Sequence, residues 1–153
     1  MHPRSDEITL RVASFPDLDT TTLYALLKLR VDVFVVEQDC AYPELDGRDT
    51  EPGTRHLWLA RDRAPLAYLR ILSEPEGSER IGRMAVARKE RGGGHAGRLM
   101  AEALRIVGHR PAVLAAQSYL VDFYAGFGFV IDGDEFIDDD IPHIPMRRDA
   151  DAR

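Results

Sequence analysis

Residues 91–97 read Arg-Gly-Gly-Gly-His-Ala-Gly, the composition of a loop that binds phosphate. The loop follows a β-prone run that ends at Val86, and it precedes a run in which Leu99, Ala103 and Ile106 recur at helical spacing. A glycine-rich turn that enters a helix leaves several backbone N–H groups without partners, and the helix dipole adds partial positive charge there. Glycine also permits positive φ and close approach of the backbone to an anion. The segment therefore predicts a phosphate site within a strand–loop–helix unit.

The local charge also indicates an anionic ligand. The chain has a formal net charge of −6, yet basic residues surround the loop and Glu90 is the single acid among them. A basic island in an acidic protein is most simply explained by a bound pyrophosphate. The basic residues are Arg83, Arg88, Lys89, Arg91 and Arg98.

A dinucleotide-binding fold is one interpretation of the loop, because Gly92, Gly94 and Gly97 formally satisfy its G-x-G-x-x-G pattern. That fold needs an acidic residue about 20 positions later to hold the ribose. Residues 115–118 are Ala-Ala-Gln-Ser, and only 56 residues follow Gly97, too few for the remaining βα units. The dinucleotide interpretation is therefore rejected.

A second interpretation rests on a family resemblance. Arg91, Gly94 and Ala96 resemble the [Gln/Arg]-x-x-Gly-x-[Gly/Ala] motif of the GCN5-related N-acetyltransferases (GNAT), whose loop cradles the pyrophosphate of acetyl-coenzyme A. Residues 122–129, Asp-Phe-Tyr-Ala-Gly-Phe-Gly-Phe, are similar to the FYxxxGF segment of that family. The resemblance covers about residues 10 to 147, and three segments resemble the small ElaA-like branch: 29–38, 42–47 and 141–144.

The resemblance implies transfer of an acetyl group from acetyl-coenzyme A to an amine, and we expect no metal ion. In the family, the end of the strand before the loop pairs with the pantetheine amides and the thioester carbonyl. The loop holds the pyrophosphate, and two later residues line the cofactor channel. Carried over position by position, the expected cofactor-binding residues are Met84, Ala85, Val86, Arg91, Gly92, Gly93, Gly94, His95, Ala96, Gly97, Gln117 and Phe123.

Tyr124 matches the family tyrosine that donates a proton to the leaving thiol. The same residue belongs to an apolar stripe with Leu120, Phe123 and Phe127, at spacings i, i+3, i+4 and i+7, which periodicity alone assigns to the core. A structural ring and a proton donor both remain open at this point.

Acetyl transfer also needs a base that accepts a proton from the amine. Glu37 is the first candidate, because it ends the first predicted helix, where the family places its acceptor cleft. The candidates that stay open are Asp46, His56, Glu79 and His143.

Arg30 falls on the apolar stripe of the first predicted helix, seven residues after Leu23. A buried guanidinium must be paired, so we expect a carboxylate partner, either Glu37 or Asp46. The alternative is that Arg30 recognises a carboxylate of the substrate.

An acidic run occupies residues 132–140. It lacks the glycine and the twelve-residue frame of an EF-hand, so we expect no calcium site. A solvated loop is the favoured interpretation, and attraction of a polycationic amine or a basic peptide is the alternative. Its acids are Asp132, Asp134, Glu135, Asp138, Asp139 and Asp140.

The 153 residues, 44% of them hydrophobic, predict a single domain over 1–153, with about seven N-terminal and five C-terminal residues frayed. No apolar run approaches the ~20 residues of a membrane span, and no signal peptide is expected. Cys40 is the only cysteine, which excludes an internal disulfide and fits the cytoplasm. The pI near 5.3 argues against a nucleic-acid partner. A homodimer is compatible with the family.

Hairpins followed by a βαβ unit predict an α/β (mixed α+β) fold. We expect a mixed, mostly antiparallel sheet of six to seven strands flanked by about four helices, and the resemblance adds a β-bulge or splay at the cofactor site. In the N-terminal half of the chain we expect a helix that is capped by Thr20–Thr22 and ends near Val36. A long loop over 39–54 follows it. The predicted strands include 8–13, 56–62, 65–72, 112–116, 127–131 and 144–147, and a short helix is predicted near 119–125.

The leading functional hypothesis is a coenzyme-A-dependent N-acetyltransferase that acts by direct transfer to a small-molecule amine. A non-catalytic acyl-coenzyme-A sensor is the alternative from another class, because binding needs only the backbone donors of the loop. Residues 30–37 also faintly resemble acyl-homoserine-lactone synthases, but the larger size and the carrier-docking basic patch of those enzymes are missing.

Overall fold

A computed structural model describes residues 7–149, and the expected fraying of the two ends lies largely outside these residues. Its centre is an eight-stranded sheet in the order β1-β2-β3-β4-β5-β8-β6, with β7 also pairing with β8. The β4–β5 pair is parallel and the others are antiparallel, so the mixed, mostly antiparallel sheet is confirmed with one strand more than expected. The strands are β1 (Ile8–Ala13), β2 (Arg55–Arg61), β3 (Ala64–Ser73), β4 (Glu79–Val86), β5 (Ala112–Gln117), β6 (Val130–Ile131), β7 (Phe136–Asp138) and β8 (Ile141–Arg148).

Three α-helices accompany this sheet in the described part of the chain: α1 (Thr20–Val31), α2 (His95–Val107) and α3 (Val121–Ala125). A π-helical segment, Asp32–Glu37, continues α1, so the predicted extent of the first helix is confirmed while its last turns are wound more widely. The predicted cap is wrong by one residue, since Asp19 accepts from the Thr22 amide at 2.7 Å.

Successive side chains of each strand point to opposite faces of the sheet, and this separates two apolar layers. Leu57, Leu59, Leu69 and Ile71 lie in the larger cluster, together with Leu99, Met100 and Ala103 of α2. The intervening side chains Trp58, Ala60 and Tyr68 lie in the second cluster, with Leu26, Leu29 and Val33 from α1 and the π-helical segment. The two helices therefore cover opposite faces of one sheet.

A β-bulge in β4 breaks the regularity of the sheet at its centre. Tyr68 pairs with Ala85 and Arg70 pairs with Gly82, so Arg83 and Met84 together oppose one residue of β3. Arg83 lies in this bulge with a φ of 55°, in the left-handed region. The β4–β5 ladder contains only two residue pairs and ends at Arg80. Beyond that point the two strands diverge, which confirms the expected bulge and splay.

The acidic run is more ordered than expected. It forms β7 and a two-residue turn at Asp139 and Asp140, whose φ values of 48° and 64° are typical of a type I′ hairpin. The predicted strand 127–131 shortens to β6, and the predicted strand 144–147 lengthens to β8. Because all three residues of β7 lie on the surface, no apolar alternation marks this strand in the sequence.

Candidate active site

A cavity of about 490 Å³ lies where β4 and β5 diverge, and we call it the cleft. It extends from the glycine loop to the β7–β8 hairpin. Divergence leaves the β5-facing backbone edge of residues 81–86 without a ladder partner in the described chain, so those amides are free to bind a ligand. The expected site residues that line the cleft are Glu37, Met84, Val86, Arg91, Ala96, Gln117, Phe123 and Tyr124.

The glycine loop precedes α2 as the sequence predicts. Gly92 and Gly94 have φ values of 86° and 79°, and both have open space where a Cβ would lie. The Gly94 carbonyl accepts the first helical bond from Arg98 at 3.1 Å, and no side chain caps the helix. The N–H groups of the first turn therefore have no partner within their own helix, the arrangement that binds anions.

Six expected residues of this region are absent from the cleft lining. Ala85 is buried in the cluster below α1, since it points to the opposite face from Met84 and Val86. The His95 ring folds back, with Nε2 3.7 Å from Glu90 Oε1. A Cβ on Gly93 would meet that ring at 2.9 Å, so the ring closely covers the loop backbone. The others are Gly92, Gly93, Gly94 and Gly97, whose contribution is limited to the backbone.

Arg91 folds away from the loop and pairs with Glu37. Its Nη2 donates to Glu37 Oε1 at 2.7 Å, and its Nε donates to the Val86 carbonyl at 3.2 Å. The hydrogen bond from Arg91 lowers the pKa of the Glu37 carboxyl, which weakens it as a proton acceptor. Through these two contacts, Arg91 connects the glycine loop to the end of β4 and to the π-helical segment.

Tyr124 combines the two interpretations that the sequence left open. It is 8% exposed and packs edge-on against Phe123 and Phe129, with ring centroids 5.0 and 6.3 Å away. Its side chain also lines the cleft, and its hydroxyl has no hydrogen bond to another described residue. Burial, and to a lesser degree Tyr119, raises the pKa of this phenol to about 12, so it stays protonated at neutral pH. The ring is therefore part of the core while the hydroxyl remains a proton donor.

Arg30 is buried and ion-paired, but not with the expected acids. Its Nε donates to Glu44 at 2.7 Å and its Nη1 to Asp49 at 2.8 Å. Burial alone would raise the pKa of Asp49, but the hydrogen bond and charge of Arg30 outweigh it and lower that pKa. Glu37 and Asp46, the partners predicted from the sequence, bind other arginines.

Two more arginines extend this ion cluster toward the cleft. Arg70 donates to Asp46 at 3.0 Å and to Asp49 at 3.1 Å. Arg83 donates to Glu44 at 2.9 Å. Both arginines line the cleft, so the cluster forms one of its walls. From the sequence, Arg83 belongs to the basic island at the phosphate site, because a bulge that redirects a side chain leaves no signal in the periodicity.

Three candidate bases, Asp46, His56 and Glu79, lie outside the cleft lining. His56 is 2% exposed, with Nε2 3.1 Å from the Asp49 carbonyl and Nδ1 2.6 Å from the Tyr68 hydroxyl. Glu79 is 2% exposed and forms ion pairs with Arg55 and Arg110. Both are satisfied structural residues. Asp46 is held by Arg70, as described above, and only His143 lines the cleft without an ion pair in the described residues.

The comparison with family models decides the relationship. An acetyltransferase (GNAT) domain model matches residues 29–150. The chain belongs to the GNAT family. A UPF0039 protein of Mycobacterium tuberculosis is 55% identical over 136 residues, which cover 86% of this chain and 87% of that protein. Protein ElaA of Escherichia coli is 39% identical over 140 residues, covering 88% of this chain and 92% of ElaA.

Solved structures of GNAT proteins agree with the fold. The crystal structure of Escherichia coli ElaA has a TM-score of 0.88 at 36% identity and covers 94% of this chain and 100% of that one. An acyl-CoA N-acyltransferase from Pseudomonas aeruginosa has a TM-score of 0.87 at 42% identity, over 93% and 99% of the two chains. The predicted superfamily and ElaA-like branch are confirmed.

Among residues 7–149, no group of three or more His, Cys, Asp or Glu side chains is arranged to hold a metal ion. No helix in the same range is long and apolar enough to cross a membrane.

Proposed function

We propose that this protein transfers the acetyl group of acetyl-coenzyme A to the primary amine of a small molecule, by direct transfer in a ternary complex. One observation carries the proposal: a single cleft joins a helix N-terminus suited to a pyrophosphate with a phenol that stays protonated. The GNAT relationship supports an acyl-coenzyme-A donor, and acetyl as the acyl group is our proposal. We further propose a cytoplasmic location and no nucleic-acid partner.

The donor half of the site uses backbone groups. The amides of residues 92–97 would bind the pyrophosphate, and Met84, Ala85 and Val86 would pair with the pantetheine amides and the thioester carbonyl along the unpaired edge of β4. Gln117 and Phe123 would border the pantetheine from the β5 side. Because the bulge fixes this edge before any ligand arrives, binding needs little rearrangement of the strand.

Tyr124 would supply the proton to the leaving sulfur. A thiol has an ordinary pKa near 8.5, so a phenol of pKa about 12 is a weak acid toward it. The phenol can still hydrogen-bond to the developing thiolate and donate as the negative charge forms. Glu37, first expected to be the base, would instead position Arg91 and the glycine loop.

The acceptor half of the cleft favours a cationic amine. The cleft-lining residues Arg70, Arg83 and Arg91 are paired with acids. Asp138 and Asp139 line the same cleft and form no ion pair with the described residues. Unpaired acids at the rim would attract an ammonium group and raise its local concentration.

Calorimetric titration with acetyl-coenzyme A tests the donor half. We expect micromolar binding by the wild-type protein and none by Gly94→Asp, which places a carboxylate where the pyrophosphate would lie. Gly77→Asp is the matched control, because Gly77 also has positive φ and open space, in the β3–β4 turn. Equal loss of binding in both variants, or no binding by folded wild-type protein, would refute the proposal.

Thiol release with a panel of primary amines tests turnover in the same preparations. We expect Tyr124→Phe to lower kcat while the affinity for acetyl-coenzyme A is unchanged. A wild-type protein that binds acetyl-coenzyme A but releases no thiol with any amine would contradict catalysis and indicate a non-catalytic sensor.

A further inference from the structure

We infer that His143 is the general base that accepts the proton of the acceptor amine, an inference that rests on the proposed function. His143 lies on β8 in register with Gln117, the last residue of β5. Its half-buried ring lines the cleft, as Tyr124 does from α3. The fold therefore brings a candidate base and a candidate acid into one cavity.

The imidazole ring of His143 is held in one orientation. Its Nδ1 lies 2.8 Å from the Ile141 carbonyl oxygen, which can only accept, so Nδ1 carries the proton in the neutral ring. The ring stacks on Phe136, with centroids 5.6 Å apart and planes inclined by 21°. Nε2 then has the lone pair and no hydrogen bond to another described residue. A positioned ring with a free basic nitrogen is what proton abstraction requires.

The other titratable groups of the acceptor half are less suited to this role. Glu37 is ion-paired with Arg91. The Cys40 thiol donates to the Asp139 carbonyl at 3.3 Å, and burial raises its pKa. Asp138 and Asp139 are unpaired, but an imidazole accepts a proton near neutral pH far better than a carboxylate does.

The transfer step balances with these two residues. The ammonium group first loses one proton to solvent. The neutral nitrogen then attacks the thioester carbonyl carbon, and the C–N bond forms while His143 Nε2 takes one N–H proton. The C–S bond breaks, and Tyr124 gives its hydroxyl proton to the departing sulfur. The imidazolium and the phenolate then return to their starting protonation states through solvent.

His143→Asn tests the assignment, because an asparagine amide can replace Nδ1–H at the Ile141 carbonyl but supplies no base. Thiol release is measured with benzylamine, ethanolamine and 1,4-diaminobutane, and the fastest wild-type acceptor is used. We expect kcat to fall about a hundredfold or more while KM for the amine and the affinity for acetyl-coenzyme A change little. Added imidazole should restore part of the rate in the variant and leave the wild type unchanged. His109→Asn is the matched control, since His109 is exposed and lies outside the cleft lining.

Three results would overturn the inference. A His143→Asn kcat close to the wild-type value would do so, as would a lowered kcat that imidazole does not raise. Absence of thiol release by wild-type protein that binds acetyl-coenzyme A would overturn the proposed function and this inference with it. Melting curves verify the fold of each variant, and His143→Gln is measured in the same way if the Asn variant is destabilised.

Discussion

The ion cluster around Arg30 determines what this residue does. Its guanidinium is 1% exposed and bonded to Glu44 and Asp49. Methionine would remove one of the two arginines that each of these buried acids contacts, so we expect Arg30→Met to lower the free energy of unfolding by about 3 kcal/mol. Urea denaturation, followed by the fluorescence of the single tryptophan Trp58 in the adjoining cluster, measures the loss.

Lys28→Met is the matched control on the same helix. The Lys28–Asp32 pair is exposed, so its loss should have only a small effect. If Arg30→Met had wild-type stability but no turnover, recognition of a substrate carboxylate by Arg30 would be the better explanation.

Residue-level prediction from the sequence succeeded where helical spacing decides the answer. Spacing alone placed Arg30 on the buried stripe and required an acid beside it. Spacing could not identify Glu44 and Asp49 as the partners of Arg30. Which loop acids point inward depends on the loop backbone, which has φ 85° at Gly47 and a 3₁₀ turn over Arg48–Thr50. Such backbone geometry within a 16-residue loop is set by tertiary contacts rather than by local propensity.

At the scale of elements, the β7–β8 hairpin carries the unpaired acids of the cleft. We expect the double variant Asp138→Asn, Asp139→Asn to raise KM for a cationic amine several-fold at low ionic strength and to leave KM for acetyl-coenzyme A unchanged. The difference in KM between variant and wild type should become smaller as salt is added, because salt screens the attraction between the wild-type acids and the amine. Initial rates of thiol release over a range of amine and salt concentrations measure both effects.

Asp132→Asn together with Asp134→Asn provides the control for net charge. These acids belong to the same run but do not line the cleft. An equal rise of KM in this pair would show a general field effect, and a flat KM in the first pair would refute steering by the hairpin.

Elements were predicted best where an apolar pattern is long. The first helix, the glycine loop and the central strands have the predicted order and nearly the predicted bounds. β7 was missed because its three residues are exposed and lie among acids, so only pairing with β8 makes them a strand. The bulge came from the family resemblance, since nothing in the local sequence marks Arg83 as a residue with positive φ.

At the scale of the whole molecule, stability should depend on pH through His56, which joins the 39–54 loop to the sheet. Burial lowers the pKa of this imidazole, and the charges of Arg30 and Arg70 act in the same direction, against the opposing influence of Asp49. Folded His56 therefore stays neutral at a pH where the unfolded chain has already bound a proton. The free energy of unfolding must then decrease as pH falls below about 6.5, by at most about 1.4 kcal/mol per pH unit.

His56→Gln removes this titration while its amide can still donate to the Asp49 carbonyl. Urea denaturation between about pH 7 and pH 5 should give a shallower dependence in the variant, although the variant is less stable at pH 7 because the bond to Tyr68 is weakened. The other histidines are retained, so a change in slope reports His56 alone. The pKa values of Asp46 and Asp49 are lowered in the fold, so these acids reduce stability only near pH 4 and below, where the same carboxyl groups of the unfolded chain bind protons. Their contribution is therefore separated in pH from that of His56. Equal slopes in the two proteins would mean that His56 binds its proton equally in the folded and the unfolded chain over this pH range, and the hydrogen bonds assigned to its neutral ring would then be wrong.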